Sequence, residues 1–373
     1  MVEATSTFIR SVNDPRNRLT RVLEHLNIAV KKPGRMALAI GSTETSDIDG
    51  ISAAGHTAEA RRLTPALDAE ALVLGLPLTH SSIPLSPEGI VSPVVASRAM
   101  VNLLDCKIEV FDCGTFVTPK LEALRVGNAA ARRLDTGEAL ELKLAERLFE
   151  QGREQGQALG RTASYIVIGE CVPAGTTTAM GILTALGYDA SKLVSSSMLT
   201  AMHDVRHQLV QTGIKKSGLS TDDFKQSPLK AVAAVGDPMQ PFVAGMALEA
   251  AKRVPVVLGG GTQMLAVYGL ARALVGDAEL LERALAVITT KWVVQDKHSN
   301  PTQLSVLVDA PFAASFPNFT GSRHRGLQAY EEGNVKEGVA AGGMMAIAHI
   351  AGFSSERIQE AIDFHYDRMV HGM

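Results

Sequence analysis

Short apolar runs that do not alternate with polar residues, most of them closed by a glycine, set the tightest limit on what this chain can become. Runs over 36–40, 71–74, 108–111, 165–168, 231–235, 256–258, 286–289 and 304–308 read as strands. An alternating strand has one wet face, whereas a continuous apolar strand is covered on both. Covering both faces of a sheet takes helices on either side, and helical patterns fill the intervals. The stretch 138–159 carries Leu140, Leu144 and Leu148 on one stripe, with Asp135 and Thr136 before it as capping candidates and Gly160 to end it. A small-residue helix is expected over 241–253. Another is expected over 355–371, capped by Ser354, with Ile358, Ile362 and His365 along one side. The Pro-rich stretch 77–93 reads as a loop. This alternation predicts an α/β fold, with a doubly wound, mostly parallel, Rossmann-like sheet. The expected division is an α/β nucleotide-binding domain over residues 36–310 and a smaller helical domain from the chain ends, 1–35 and 311–373.

Composition narrows the class further. Hydrophobic residues make up 46% of the 373 residues and aromatics only 5%, with 33 glycines, so the apolar weight is small and aliphatic and suits close packing of helices on a sheet. A formal charge of −3 gives no global basic field for nucleic acid. Cys106, Cys113 and Cys171 are too few and too scattered for a disulfide framework or a cysteine-rich zinc site, which suits a reduced cytoplasm. The first residues lack the charged and apolar blocks of a secretory signal. The uncharged stretch 254–270 is broken by Pro255 and Gly259–Gly261, whereas a membrane helix needs ~20 mostly apolar residues. Neither nucleic acid nor membrane is an expected partner.

In open α/β sheets, ligands bind beyond the carboxyl ends of strands, so chemistry is sought after each run. The run over 165–168 leads through Gly169, Glu170 and a Gly/Pro loop to Gly175, Thr176, Thr177 and Thr178. A helix start there offers free N–H groups and threonine hydroxyls to a phosphate, or the threonines simply cap the helix. No Lys follows the glycine, so this is not a Walker A loop. Gly236 before Asp237, and Gly259, Gly260 and Gly261, allow a ligand close to the backbone, or form ordinary turns. Glu337, between Lys336 and Gly338 and ahead of Gly342-Gly343, is either a general base or a solvated charge. His203 and His207 stand four apart without an HExxH frame, so no metal site is expected. There is no GxSxG elbow, and Cys171 reads as a small loop residue.

Taken in order and spacing over most of the chain, these strand ends resemble the nicotinate-nucleotide–dimethylbenzimidazole phosphoribosyltransferase family, and more closely its divergent archaeal and cyanobacterial branch. The strand over 108–111 running to Gly114, followed by Arg125-Val126-Gly127-Asn128, is similar to the family's strand and Arg-Val loop. Gly169-Glu170 with Gly175-Thr176-Thr177 is similar to its Gly-Glu and Asn-Thr-Thr phosphate segment, with Gly175 in place of Asn. Gly236 through Gly260 resembles its Gly-Gly loop, small-residue helix and Pro-Val-Leu-Leu-Asp-Gly strand end, with Gly259 in place of Asp. Lys336-Glu337-Gly338 resembles the segment that supplies the catalytic base. The family's Ala-Asp-His-Gly-Val strand end is replaced by Ile40-Gly41-Ser42-Thr43-Glu44, which points to a remodelled base pocket around Ser42, Thr43 and Glu44.

The resemblance implies transfer of phosphoribose from nicotinate mononucleotide to a nitrogenous or phenolic base, giving the α-ribazole-type lower-ligand nucleotide of cobamides and releasing nicotinate. It implies Glu337 as the base and Glu170 as the carboxylate that eases charge at C1′. Phosphate and ribose would lie on Gly175, Thr176, Thr177, Thr178, Gly236, Gly259, Gly260 and Gly338. No cofactor or metal is called for, and a homodimer is implied. A non-catalytic nucleotide or cobamide-precursor binder of the same fold is the alternative. A nucleotide-binding oxidoreductase ranks below both, for lack of GxGxxG after the first strand.

Overall fold

A computed structural model describes residues 7–196, 198 and 202–371. Eight strands form one sheet: β1 (Ile9–Asn13), β2 (Arg35–Ile40), β3 (Lys107–Asp112), β4 (Leu124–Arg125), β5 (Ile166–Cys171), β6 (Val256–Gly259), β7 (Leu285–Thr290) and β8 (Phe312–Ser315). Their order is β1-β8-β7-β6-β5-β2-β3-β4. Every pair is parallel except β1 with β8, where Ile9 stands opposite Ser315.

The continuous apolar runs have a direct structural cause. Alternate residues of each central strand enter two different cores. Ala37, Ala39, Ile166, Ile168, Leu258 and Val287 pack on one side with the helices Leu142–Thr162, Gly175–Ala185, Met239–Ala250 and Thr262–Val275. Met36, Leu38, Val167, Val257, Ala286 and Ile288 pack on the other with Arg18–Ala29, Val94–Leu103, Ala341–Ile350 and Ser355–Tyr366. Both faces are dry, so neither set of positions tolerates a polar side chain.

Three expected strands are helical. Residues 71–74 end the helix Ala58–Leu74, 231–235 lie in Leu229–Val235, and 304–308 lie in or just after Pro301–Leu307. A buried apolar run of four or five residues has no period long enough to separate helix from strand. The reverse error occurs at the chain ends. β1 and β8 lie in segments expected to be helical, and β1 is an edge strand with a half-wet IRSVN pattern. The helix expected over 138–159 starts at Leu142, and Asp135 and Thr136 lie in a separate 3-10 turn rather than capping it. Ser354 does cap its helix, accepting from the Arg357 N–H.

Strand order runs β2-β3-β4 in one direction and β5-β6-β7-β8 in the other, so the connections diverge between β2 and β5. The carboxyl ends of those two strands, Ile40 and Cys171, are register partners. That divergence is where an open α/β sheet leaves a crevice for a ligand.

A strap from Glu337 to Gly343 crosses the sheet beside this crevice. A Cβ on Gly169 or Gly259 would lie 2.8 or 2.6 Å from the Ala340 Cβ, and one on Gly342 would lie 2.2 Å from the Thr289 carbonyl carbon. Val339 and Ala340 have left-handed backbone (φ 52° and 63°), a sparsely populated state for such residues. The Val339 N–H donates to the Glu170 carbonyl at 3.1 Å, and Thr290 Oγ1 donates to the Lys336 carbonyl at 2.6 Å. Overpacking a filled site costs ~1–3 kcal/mol. Gly342→Ala is therefore expected to lower the unfolding free energy in urea by at least ~1–3 kcal/mol. Gly321→Ala, where an added Cβ meets nothing within 4 Å, should stay within ~0.5 kcal/mol of wild type.

Candidate active site

A cleft open to solvent lies at the carboxyl end of β5. One wall is the loop Cys171–Ala174 with the starts of the helices Gly175–Ala185 and Thr262–Val275, joined by Ser195 and Ser196. Residues 52–54, Thr64, Asp68 and the loop 84–93 also line the cleft. The strap closes it with Val335 to Val339.

Glu337 and Glu170 both line this cleft. Glu337 Oε1 accepts from the Gly338 and Gly342 N–H groups at 3.1 and 3.2 Å, and Oε2 accepts from Thr289 Oγ1 at 3.1 Å. Gly342 sits in the first turn of Ala341–Ile350, so the carboxylate also meets the positive end of that helix. Burial pushes its pKa up to about 7, and these donors hold it from rising further. Glu170 is buried at the end of β5, with Oε1 accepting from Gln263 Nε2 and Oε2 from the Val172 N–H, both at 3.1 Å. Burial first, then the charges of Asp237 and Glu337, push it up to about 8. Asp237, also buried, accepts from Thr178 Oγ1 at 2.6 Å, and burial raises it to about 6.

Of the expected phosphate and ribose residues, Gly175, Thr176 and Gly338 line the cleft. Neither the helix start at Gly175 nor the one at Thr262 has a side-chain cap; the Gly175 N–H donates to the Val172 carbonyl at 2.9 Å and the Thr177 N–H to the Ala174 carbonyl at 2.8 Å, which leaves the Thr176, Thr262 and Gln263 N–H groups for a ligand. Thr177 and Thr178 are engaged elsewhere. Thr177 Oγ1 accepts from Arg206 Nε at 3.2 Å, and Thr178 serves Asp237. Gly259 packs on Ala340, Gly236 on Val232 and Gly260 on Met264. These three glycines bring backbone against protein and do not line the cleft. Ser42, Thr43 and Glu44 lie outside it too. The Ser42 N–H donates to the Gly114 carbonyl at 3.0 Å, Thr43 Oγ1 accepts from the Thr45 N–H at 3.1 Å, and the Glu44 carboxylate accepts from the Arg133 N–H at 3.3 Å. This segment ties β2 to the loop after β3.

The sequence assigns no role to several residues in or behind the cleft wall. Lys336 is buried and donates to the Ser196 carbonyl at 2.7 Å, with Asp296 Oδ2 3.5 Å away; burial lowers its pKa. Arg206, from the helix His203–Ser217, donates to the Thr176 carbonyl at 2.9 Å and the Ser195 carbonyl at 3.3 Å, and so fixes the wall from behind. Asp68 is hidden inside a helix whose end reads as strand. Away from the cleft, His324, Asp367 and His371 bring ligand atoms within 4.8 Å of one another, a grouping that sequence spacing does not show. Asp367 there is already paired with Arg323.

A carboxyl whose folded pKa is raised keeps its proton in the native state while the unfolded chain releases it, so stability falls as pH rises between the two values. For Glu170 that window runs from its ordinary value of 4.5 to about 8. Urea unfolding of wild type should show a loss of stability as pH rises through that window, and Glu170→Gln should show a smaller one.

The sequence model of a family described as Phosphoribosyltransferase matches residues 90–279. The UPF0284 protein glr4139 of Gloeobacter violaceus is 46% identical over 337 residues, covering 90% of this chain and 88% of that protein. The UPF0284 protein of Methanothermobacter thermautotrophicus is 38% identical over 329 residues, covering 87% of this chain and 90% of its own length. Among solved structures, nicotinate-nucleotide-dimethylbenzimidazole phosphoribosyltransferase from Thermus thermophilus superposes with a TM-score of 0.56 at 18% identity, covering 92% of this chain and 93% of that one. At that identity the likeness is one of fold.

Proposed function

The chain belongs to the phosphoribosyltransferase family, and from that premise we propose that its cleft moves phosphoribose from nicotinate mononucleotide to a ring nitrogen of an acceptor base, releasing nicotinate and forming a lower-ligand nucleotide of the cobamide type. The observation that carries this reading is the pairing, in one cleft, of two carboxyls of raised pKa with two uncapped helix starts. The helix starts suit the 5′-phosphate, with Gly175 and Thr176 on one side and Gly261 and Thr262 on the other.

The donor needs no acid at its leaving group. Its pyridinium nitrogen is already cationic, so breaking the bond to C1′ returns the electron pair to that ring and neutralises it. The acceptor nitrogen forms the new bond to C1′ from the opposite face, and its proton passes to Glu337. A base is most effective with a pKa near the working pH, and the donors from Gly338, Gly342 and Thr289 keep Glu337 near 7 despite burial. Glu170 answers the positive charge at C1′. The donor's pyridinium cation, placed at C1′, favours the ionised form of Glu170, so donor binding releases a proton from the buried carboxyl.

The non-catalytic alternative leans on the changed segment Ser42–Thr43–Glu44; since those residues lie outside the cleft, no observation favours it. On the same reading the protein works as a homodimer in the cytoplasm. Three buried cysteines with free thiols, Cys106, Cys113 and Cys171, support a reducing compartment.

Base-dependent nicotinate release tests the assignment. Glu337→Gln is expected to lower kcat/KM by ~10²–10⁴-fold. The wild-type value should rise with pH through about 7, as Glu337 ionises. An unchanged rate in Glu337→Gln would remove Glu337 as the base.

A further inference from the structure

The part of the cleft lining from residues 52–54, Thr64, Asp68 and the loop 84–93 is apolar at Ala53, Pro84 and Ile90, and most of its polar side chains are already engaged. Thr64 Oγ1 donates to the Ala54 carbonyl at 2.6 Å. Ser86 Oγ donates to Glu88 Oε2 at 2.9 Å and accepts from the Ile90 N–H at 3.2 Å. Ser92 Oγ accepts from the Val94 N–H at 3.3 Å. Asp68 differs. It is 3% exposed, and its Oδ2 accepts from Cys171 Sγ at 3.2 Å. Its Oδ1 makes no hydrogen bond of ordinary geometry among the described residues. The Ser92 hydroxyl lies close enough to lower the carboxyl's pKa but makes no hydrogen bond of ordinary geometry to Oδ1; a buried carboxylate oxygen left in that state is rare in a native structure, and in a cleft wall the missing donor is one a ligand can bring.

We propose that Asp68 Oδ1 selects the acceptor base, accepting a hydrogen bond from an N–H or NH₂ group that the acceptor carries in addition to the ring N–H lost to Glu337. This inference rests on the transferase reading above and names the substrate class within it. An aminopurine has such a second donor. Unsubstituted purine and 5,6-dimethylbenzimidazole have only the ring N–H that reacts, and a phenol has only its hydroxyl. Burial raises the Asp68 pKa to about 6, with the Ser92 hydroxyl and the Cys171 thiol opposing the rise, which leaves it largely ionised at neutral pH. The carboxylate then acts as acceptor only. Cys171 fixes the orientation. Burial keeps its thiol protonated, and its S–H occupies Oδ2, which leaves Oδ1 for the ligand.

The test compares adenine, purine, hypoxanthine and 5,6-dimethylbenzimidazole on the full-length protein, by calorimetric binding and by nicotinate release from nicotinate mononucleotide. Wild type should favour adenine over purine by at least ~10-fold in both Kd and kcat/KM, since leaving a buried acceptor unpaired carries a penalty of that order. Asp68→Asn keeps the shape. With its carbonyl held by Cys171 it turns an NH₂ toward the ligand, so the adenine preference should vanish and hypoxanthine, with a 6-oxo acceptor, should gain. Equal use of adenine and purine by wild type overturns the inference without any variant. An adenine-to-purine ratio unchanged in a folded Asp68→Asn does so as well, and leaves the transferase reading intact. Adenine-selective binding with no nicotinate release from any base has the opposite meaning: Asp68 stands and the transferase reading falls.

Discussion

The molecule's chemistry hangs on a backbone approach that only glycine permits. The strap from Glu337 to Gly343 passes so near the sheet that Ala340 is wedged between Gly169 of β5 and Gly259 of β6, while Gly342 rests on the Thr289 carbonyl of β7. The left-handed backbone at Val339 and Ala340 belongs to the same crossing. Neither contact touches the cleft, yet together they fix where Glu337 stands relative to Glu170. The first carboxyl comes from the C-terminal part of the chain and the second from a central strand. Packing that looks purely structural therefore sets the separation of the two carboxyls of the cleft.

The charges around the cleft follow a consistent division of labour. The basic groups nearest it are spent on the protein itself: Lys336 holds the Ser196 carbonyl, and Arg206 holds Thr176 and Ser195. The carboxyls face the space, and no guanidinium or ammonium group is paired with Glu170 or Glu337 among the described residues. Burial of two such groups without a counter-ion raises both pKa values, an arrangement that costs folding energy and is characteristic of functional sites.

Much of the sheet is legible in the sequence because β2, β5, β6 and β7 are dry on both faces, and continuous apolar runs record that. The same rule misreads 71–74, 231–235 and 304–308, which are buried on helices and so equally apolar. β8, of sequence FAAS, is too short and small-sided to stand out, and it pairs with an edge strand from the opposite end of the chain. Within the cleft, Glu170, Gly175, Thr176, Glu337 and Gly338 are readable from their places at a strand end or a helix start. Gly236, Gly259 and Gly260 have the same signature, but their missing side chains make room for neighbouring protein. Asp68 and Arg206 give no sign. Each acts through a contact with a distant part of the chain, Cys171 in one case and Thr176 in the other, and only folding brings those pairs together.

The central claim is that one cleft seats a nucleotide with its anomeric carbon between two carboxyls. A crystal structure of the protein with nicotinate mononucleotide tests it most directly. The 5′-phosphate is expected on the Gly175–Thr176 and Gly261–Thr262 helix starts, with C1′ between Glu170 and Glu337. Density for the phosphate anywhere else, or for a ribose whose C1′ faces neither carboxyl, would contradict it.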